Sequence, residues 1–259
     1  MFTNRLEGKR AFITGATAGI GEASARQLAD LGVNLVLNGR REERLKQLKD
    51  QLLAQNDIEI QIAPFDVRDR EACRNFIQNE MEQPVDILVN NAGLASGIGK
   101  IYDGDFEDWD KMLDTNVKGL LNVTRFVSPY MKERNSGHII NVGSIAGHQT
   151  YPGGAVYTAS KYAVRAITES AKKDFHGTRV RVSEVSPGFV ETEFSKVRFD
   201  WDEERAEKVY KGFTPLSGDD VAELIVFIAN RPGHVTILDS IIFPTAQSDV
   251  GTVDRSGKI

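Results

Sequence analysis

The chain has 259 residues, of which 41% are hydrophobic and 27% are charged, and its formal net charge at pH 7 is -5. This length and this balance suit one globular domain, spanning residues 1–259, at the upper end of single-domain size. The acidic balance argues against a surface built to bind nucleic acid, because such surfaces are basic.

Cysteine usage and hydropathy indicate a reducing compartment. Cys73 is the single cysteine, so no disulfide can form within the chain, and its helical surroundings predict a packed, inert thiol. No segment approaches the roughly 20 apolar residues needed to cross a bilayer, and the N-terminus has no sustained apolar run. We therefore expect a cytoplasmic protein that does not contact a membrane.

Strand and helix patterns alternate along the chain. Residues 11–14 form a short buried-strand pattern, followed by glycines and by a helical pattern over 23–31. A charged helix with a leucine stripe is expected over 41–53, and a long amphipathic stretch over 109–134. This alternation predicts an α/β fold with a doubly wound parallel sheet covered on both faces. The further strands are predicted at 34–38, 58–62, 85–89, 138–142 and 179–185.

A glycine-rich segment separates the first strand from the first helix. It reads Thr14-Gly-Ala-Thr-Ala-Gly-Ile-Gly21. Glycines permit a tight turn and a close approach of the backbone to a pyrophosphate, whose charge is favoured by a helix N-terminus. A merely flexible loop is the alternative, but the strand-to-helix context favours a dinucleotide site. The predicted contacts are Gly15, Thr17, Ala18, Gly19, Ile20 and Gly21.

Tyr157 and Lys161 are four residues apart, so on a helix they share one face. A nearby ammonium favours the ionised phenol, and it would lower the pKa of Tyr157 from the ordinary value of about 10. Such a tyrosine could transfer protons near neutral pH. Tyrosine and lysine at this spacing are also common on solvated helix faces, so the pair by itself is a weak indication.

The order of the motifs resembles the short-chain dehydrogenase/reductase family over nearly the whole chain. The resemblance implies a single-domain Rossmann fold with about seven strands, a nicotinamide cofactor, and interconversion of an alcohol and a carbonyl. The motifs that carry it are Thr14-Gly-x3-Gly-x-Gly21, Asn90-Asn-Ala-Gly93, Asn116, Ser144, Tyr157-x3-Lys161 and Pro187-Gly188.

The same resemblance implies a role for each of four catalytic residues. Tyr157 would be the general acid and base, and Ser144 would hold the substrate oxygen. Lys161 would hold the nicotinamide ribose and, together with the charge of the oxidised ring, lower the pKa of the tyrosine. Asn116 would bend a helix and order a water that leads protons to the lysine. The structural alternatives are a helix-bending polar residue for Asn116 and a strand-end cap for Ser144.

The end of the second strand favours NADP over NAD. NAD-binding chains place an acid there, whereas this chain has Asn38-Gly39-Arg40-Arg41. Two guanidinium groups can hold a 2′-phosphate through charge-assisted hydrogen bonds, although Arg41 could instead only open the following helix. We therefore predict NADP(H) as the cofactor. The resemblance implies further contacts at Asp66, Val67, Asn90, Ala92, Gly93, Pro187, Gly188, Val190 and Thr192, besides Tyr157 and Lys161.

The substrate is predicted from the similarity of four short segments to known dehydrogenases and from one arginine. Segments 144–157, 175–178, 192–199 and 242–248 resemble NADP-dependent 3-hydroxy acid and serine dehydrogenases and the similar sulfoacetaldehyde reductases. Arg198 lies in the predicted substrate loop, about 189–218, where a guanidinium can clamp a carboxylate or sulfonate. A solvated arginine is the alternative. With Ser144 and Tyr157 as the other substrate contacts, we expect a small 3-hydroxy acid or a related short polar alcohol.

Two other functions stay open. One is reduction of a 3-oxoacyl group on an acidic carrier protein, docked on Lys132, Arg134, Lys172 and Lys173. Such reductases usually end in a glycine-rich segment, whereas this chain continues into a C-terminal tail of about 244–259. The other is a non-enzymatic NADP-binding redox sensor, which would not need a proton donor.

The histidines and the longest helices complete the sequence-based expectations. The four histidines are dispersed and have no cysteines or carboxylates at ligand spacing, so no metal site is predicted.

The helix ending near Arg134 and the helix that carries Tyr157 resemble the four-helix dimer interface of the family. The resemblance therefore implies a homo-oligomer, with a tetramer favoured.

Overall fold

The structure of the protein is a computed structural model that describes residues 3–257. Within these residues seven strands form one parallel sheet, in the order β3-β2-β1-β4-β5-β6-β7. The order runs outward from β1 in both directions, so it reverses between β1 and β4. The strands are β1 (Arg10–Ile13), β2 (Asn34–Asn38), β3 (Ile60–Ala63), β4 (Ile87–Asn90), β5 (Gly137–Val142), β6 (Val180–Pro187) and β7 (Asp239–Ile242).

Helices cover both faces of the sheet. Helices α1, α2 and α9 pack on one face, and α3, α5 and α6 on the other. Short helices α7 and α8 follow β6 in the predicted substrate loop. The bounds are α1 (Gly19–Ala29), α2 (Glu42–Leu53), α3 (Arg70–Asn75), α4 (Phe106–Leu113), α5 (Leu120–Glu133), α6 (Ala155–Asp174), α7 (Glu193–Arg198), α8 (Glu203–Tyr210) and α9 (Gly218–Ala229).

The two hydrophobic cores follow from the alternation of side chains along each strand. Phe12 and Leu88 belong to the core under α3, α5 and α6, whereas their neighbours Ile13 and Val89 belong to the opposite core. Each such side chain contributes about 1.5–3 kcal/mol when it is fully buried. Cys73 is also fully buried in the first of these cores, and burial raises the pKa of its thiol to about 12. The predicted packing of the thiol is confirmed, and its lack of reactivity stays a prediction.

Several predicted boundaries differ from the observed ones. Helix α1 begins at Gly19 rather than at residue 23, because the glycine-rich segment itself forms the first turn. The predicted stretch 109–134 is helical without a break as far as Glu133, but it contains the π-helical segment Asp114–Gly119, which joins α4 to α5. Among residues 3–257, no helix is long and apolar enough to cross a membrane.

The C-terminal tail folds back toward the loop after β6. The side-chain oxygen of Gln247 accepts a hydrogen bond from the main-chain N–H of Phe189 (2.8 Å), and a Cβ atom at Gly188 would lie 2.1 Å from the same oxygen. The tail therefore fixes the segment that leads into α7. Residues 258 and 259 of the predicted tail, and residues 1 and 2 of the predicted domain, lie outside the described residues.

Candidate active site

A cleft of about 430 Å³ lies at the carboxyl ends of the strands, where the strand order reverses. This is the position at which open α/β sheets bind ligands. Most of the residues predicted to bind cofactor or to act in catalysis line it. They are Gly15, Thr17, Ala18, Gly19, Ile20, Arg40, Arg41, Asp66, Val67, Ala92, Gly93, Ser144, Tyr157, Lys161, Pro187, Gly188, Val190 and Thr192.

The floor of the cleft joins the loop after β1 to the loop after β4. The Thr14 hydroxyl oxygen accepts hydrogen bonds from the main-chain N–H groups of Asn91 (3.0 Å) and Ala92 (2.9 Å). Gly15 has a φ of 68°, and a Cβ atom there would lie 3.0 Å from the Cα of Ala92. Only glycine accommodates both this backbone conformation and this approach. The exposed backbone of the loop at the start of α1 suits a pyrophosphate.

Gly21 serves helix packing rather than the lining of the cleft. A Cβ atom there would lie 2.3 Å from the carbonyl oxygen of Gly15 and 2.5 Å from the Asn91 amide nitrogen. Because that carbonyl belongs to the loop that forms the floor, Gly21 lets α1 start close beneath it. Gly21 therefore shapes the loop, and its predicted contact with the cofactor stays a prediction.

Asn90 also lies apart from the cleft. Its side-chain amide donates hydrogen bonds to Thr124 Oγ1 (2.9 Å) and Asn141 Oδ1 (2.9 Å), within the protein interior. The next residue, Asn91, lines the cleft instead, and its amide donates to the carbonyl oxygens of Thr14 and Gly15 (2.9 and 3.1 Å). Sequence reasoning missed Asn91, although the alternation of side chains along β4 could have separated the two asparagines.

The arginines at the end of β2 lie at one end of the cleft. The Arg40 side chain is 64% exposed and lies 3.9 Å from the Asp66 carboxylate. Arg41 is more constrained, because its guanidinium donates to Thr17 Oγ1 (2.7 and 3.1 Å) and to Glu193 (2.7 Å). Guanidinium groups at this position suit a phosphate. Arg41 therefore does more than open α2.

Helix α6 presents Tyr157 and Lys161 to the opposite end of the cleft. The Ser144 hydroxyl interacts with the Tyr157 phenol, and the Ser144 oxygen accepts a hydrogen bond from the main-chain N–H of Ala146 (3.1 Å). The ammonium of Lys161 donates to the carbonyl oxygen of Val142 (3.0 Å). Serine, tyrosine and lysine are thus assembled as the motif order predicts.

Asn116 lies behind the cleft, within the π-helical segment. Its Oδ1 accepts from the main-chain N–H of Leu94 (2.8 Å), and its Nδ2 donates to the Leu94 carbonyl oxygen (2.8 Å) and to Ser160 Oγ (3.0 Å). One amide therefore joins the loop after β4 to α6. The helix is distorted at Asn116, as the family resemblance implies, whereas the water that leads protons to Lys161 stays a prediction.

Burial shifts the pKa values of Tyr157 and Lys161 in opposite directions, because it disfavours the charged form of each. It raises the pKa of Tyr157 to about 12, and the Ser144 hydrogen bond and the charge of Arg198 only partly offset it. It lowers the pKa of Lys161 to about 8, although Glu184 opposes this shift. In this structure Lys161 is paired with a main-chain carbonyl, and the lowering of the Tyr157 pKa by Lys161 together with the oxidised ring stays a prediction for the cofactor-bound protein.

A second cavity, of about 240 Å³, lies beside Tyr157 and is lined in part by Arg198. The Arg198 guanidinium donates to the Tyr151 hydroxyl (2.9 Å), and its carbon lies 5.8 Å from the centre of the Tyr157 ring. Arg198 is thus held over the phenol rather than solvated on a loop. The contact with Tyr151 could not be read from the sequence, because 47 residues separate the two.

The histidines lie outside the cleft. His138 is buried and pairs with Ser183 (2.8 Å), and His148 pairs with Ser186 (3.1 Å). Among residues 3–257, no group of three or more His, Cys, Asp or Glu side chains is arranged to hold a metal ion.

The raised pKa of Tyr157 gives a testable titration. Because burial disfavours the phenolate, we expect this tyrosine to stay protonated up to about pH 11 in the cofactor-free protein, with its pKa at about 12. The measurement is the ultraviolet absorbance of tyrosinate against pH, as the difference between the wild type and Tyr157→Phe. A tyrosinate that appears in this difference near neutral pH would contradict the expectation.

Comparison with known proteins identifies the family. The model of the short chain dehydrogenase family matches residues 9–203. NADP-dependent 3-hydroxy acid dehydrogenase YdfG of Salmonella typhi is 46% identical over 248 residues, which cover 94% of this chain and 98% of the relative. Sulfoacetaldehyde reductase 2 of Chromohalobacter salexigens is 45% identical over 247 residues, which cover 94% and 97%.

The fold is also similar to that of a solved enzyme structure. The closed form of serine dehydrogenase complexed with NADP+ superposes with a TM-score of 0.88 at 44% identity, over 93% of this chain and 97% of that chain. The predicted α/β fold with a seven-stranded parallel sheet is confirmed. By its sequence, its sheet and its cleft, the chain belongs to the short-chain dehydrogenase family.

Proposed function

We propose that the protein is an NADP(H)-dependent oxidoreductase that interconverts a small 3-hydroxy acid, or a related short polar alcohol, and its carbonyl. One observation carries this proposal. The guanidinium of Arg198 and the phenol of Tyr157 share a small cavity beside the dinucleotide cleft. An anion-binding group and a proton-transfer group at this separation suit a short substrate with an acid at one end and a hydroxyl group at the other.

The residues of the cleft fit NADP(H). The backbone between Gly15 and Ile20 suits the pyrophosphate, and Arg40 with Arg41 suits the 2′-phosphate, since no carboxylate follows β2 directly. The NADP dependence of the relatives supports the same choice. NADPH, when bound, supplies the hydride for carbonyl reduction. Lys161 and Thr192 would hold the nicotinamide end of the cofactor.

The side chains of the site handle the proton. In reduction, the protonated phenol of Tyr157 donates to the substrate oxygen, while the Ser144 hydroxyl stabilises the developing charge. In oxidation, tyrosinate accepts the alcohol proton, so the pKa of the phenol must fall. The nearby cation of Lys161 favours this ionisation when it is protonated. The cofactor-free site is thus set for proton donation.

The alternative functions have weaker support. Arg134, part of the predicted carrier-docking patch, donates to the main-chain oxygen of Val85 (2.6 Å) and lies 3.9 Å from Asp86. Its charge is therefore partly neutralised within the molecule. A redox sensor would not need the proton donor, whereas this chain keeps all four catalytic residue types: Asn116, Ser144, Tyr157 and Lys161.

The activity is tested by a substrate panel with NADP+ and NADPH. We expect turnover of L-serine, 3-hydroxypropionate or small aldehydes such as sulfoacetaldehyde, because the cavity beside Tyr157 is small. Tyr157→Phe should retain NADP+ binding and lose at least about a hundredfold in kcat, since proton transfer contributes about 10²–10⁴-fold. Activity confined to a 3-oxoacyl carrier substrate would refute the small substrate, and binding without any turnover would favour the sensor.

Arg198→Met tests the anion clamp. Losing a charge-assisted contact costs about 1.5–3 kcal/mol, so KM for an acidic substrate should rise roughly 10- to 100-fold. KM for an uncharged short aldehyde should change far less, as measured by steady-state kinetics. Lys196→Met is the matched control, because it removes the same charge from the same helix, where Lys196 pairs with Glu203 (3.5 Å). Equal losses on both kinds of substrate would argue against the clamp.

The proposal includes a homo-oligomer, with a tetramer favoured. Apolar side chains are exposed on α4, α5 and α6, including those of Phe106 (75%), Leu121 (43%) and Tyr162 (40%). Large apolar side chains left exposed on these helices suit an association surface. Light scattering of the purified protein should therefore give about four times the chain mass, and Leu121→Glu should lower it. A monomeric wild type would refute the oligomer.

A further inference from the structure

An ion cluster bridges the first turn of α7 and the arginines near the end of β2. The Glu193 carboxylate accepts a hydrogen bond from Arg41 (2.7 Å) through one oxygen and from Arg44 (2.7 Å) through the other. Burial alone would raise the pKa of Glu193, but the hydrogen bonds from Arg44 and Arg41 outweigh it and lower that pKa. The carboxylate is therefore ionised at neutral pH.

The bridge fixes α7 directly over the glycine-rich loop. Arg41 also donates to Thr17 Oγ1 (2.7 Å), so one guanidinium binds both the loop and the helix. A Cβ atom at Gly19 would lie 3.0 Å from the Thr192 methyl group, which shows how closely the start of α7 approaches. Helix α7 has six residues, about 9 Å at 1.5 Å per residue, and its last residue is Arg198. The arginine cluster and the substrate cavity are thus two ends of one short rigid element.

The net positive charge of this region is compatible with a phosphate bound beside Glu193. Asp66 lies 2.7 Å from Arg68 and 3.9 Å from Arg40. Four positive and two negative groups sum to +2, and a phosphate monoester carries about -1.5 to -2 at pH 7. The carboxylate therefore need not leave when a 2′-phosphate binds, although the two anions share the same arginines. The groups counted are Arg40, Arg41, Arg44, Arg68, Asp66 and Glu193.

Resting on the proposed function, we propose that Glu193 is a positioning residue that divides Arg41 and Arg44 between the 2′-phosphate of NADP(H) and the lid helix α7. Its carboxylate holds α7, and with it Arg198, over the substrate cavity. The same carboxylate weakens phosphate binding, because it competes for the two guanidinium groups. Substrate affinity is thus gained at the expense of cofactor affinity.

Glu193→Gln tests this division, because it keeps the shape and removes the charge. Calorimetric titration should show NADP+ binding about two- to fivefold tighter, the range for a partly exposed ion pair, with a smaller change for NAD+. KM for the acidic substrate should rise about fivefold or more, with kcat changed less than twofold. Hydrogen exchange of the α7 amides should accelerate in the cofactor-free protein. Arg44→Gln should reproduce the faster exchange and the higher KM.

Glu204→Gln is the matched control, since Glu204 lies in the first turn of the short helix α8 and pairs with Lys208 of that same helix (2.7 Å). It should leave NADP+ affinity and α7 exchange unchanged. Weaker NADP+ binding in Glu193→Gln, unchanged α7 exchange, or equal effects in the control would each overturn the proposal. The calorimetry and the exchange need no turnover, so the proposal can fail while the proposed activity holds, and the reverse.

Discussion

The hydroxyl group of Thr14 holds together the two halves of the sheet at the point where the strand order reverses. It accepts hydrogen bonds from two main-chain N–H groups of the loop after β4. The side-chain amide of Asn91 in turn donates two hydrogen bonds to main-chain carbonyl oxygens after β1. These four bonds give partners to backbone groups at the strand ends, where the pairing of the sheet stops. The position of the glycine-rich turn, and hence of everything that faces it across the cleft, depends on this junction.

Desolvation is the second constraint on the site. Tyr157 and Lys161 are 8% and 6% exposed, so the protein stabilises the neutral form of both. The neutral phenol is a proton donor, and Lys161 stays mostly protonated at neutral pH because its pKa falls only to about 8. Since the pKa of Tyr157 is nevertheless about 12, oxidation requires further positive charge in the cleft, which an oxidised nicotinamide would supply. In the cofactor-free site, burial affects the pKa values of Tyr157 and Lys161 more than their four-residue spacing does.

The sequence predicted those features that depend on short-range pattern. Strand β2 has its predicted bounds, and the turn at Gly15 and Gly19, the buried Cys73 and the assembly of Ser144 with Tyr157 follow from local chemistry and motif order. The remaining features depend on contacts between distant parts of the chain. Sequence alone could not place Tyr151 against Arg198 or give the direction of the pKa shift of Tyr157, because each depends on packing and desolvation.

The amide of Asn116 has a mechanical consequence. It is a rigid planar group that grips both the N–H and the C=O of Leu94 while it also holds Ser160 on α6. Widening the gap between Leu94 and the helix of Tyr157 would break these bonds. The spacing of the reacting groups is therefore fixed once, when the chain folds, and does not have to be found again at each encounter with substrate.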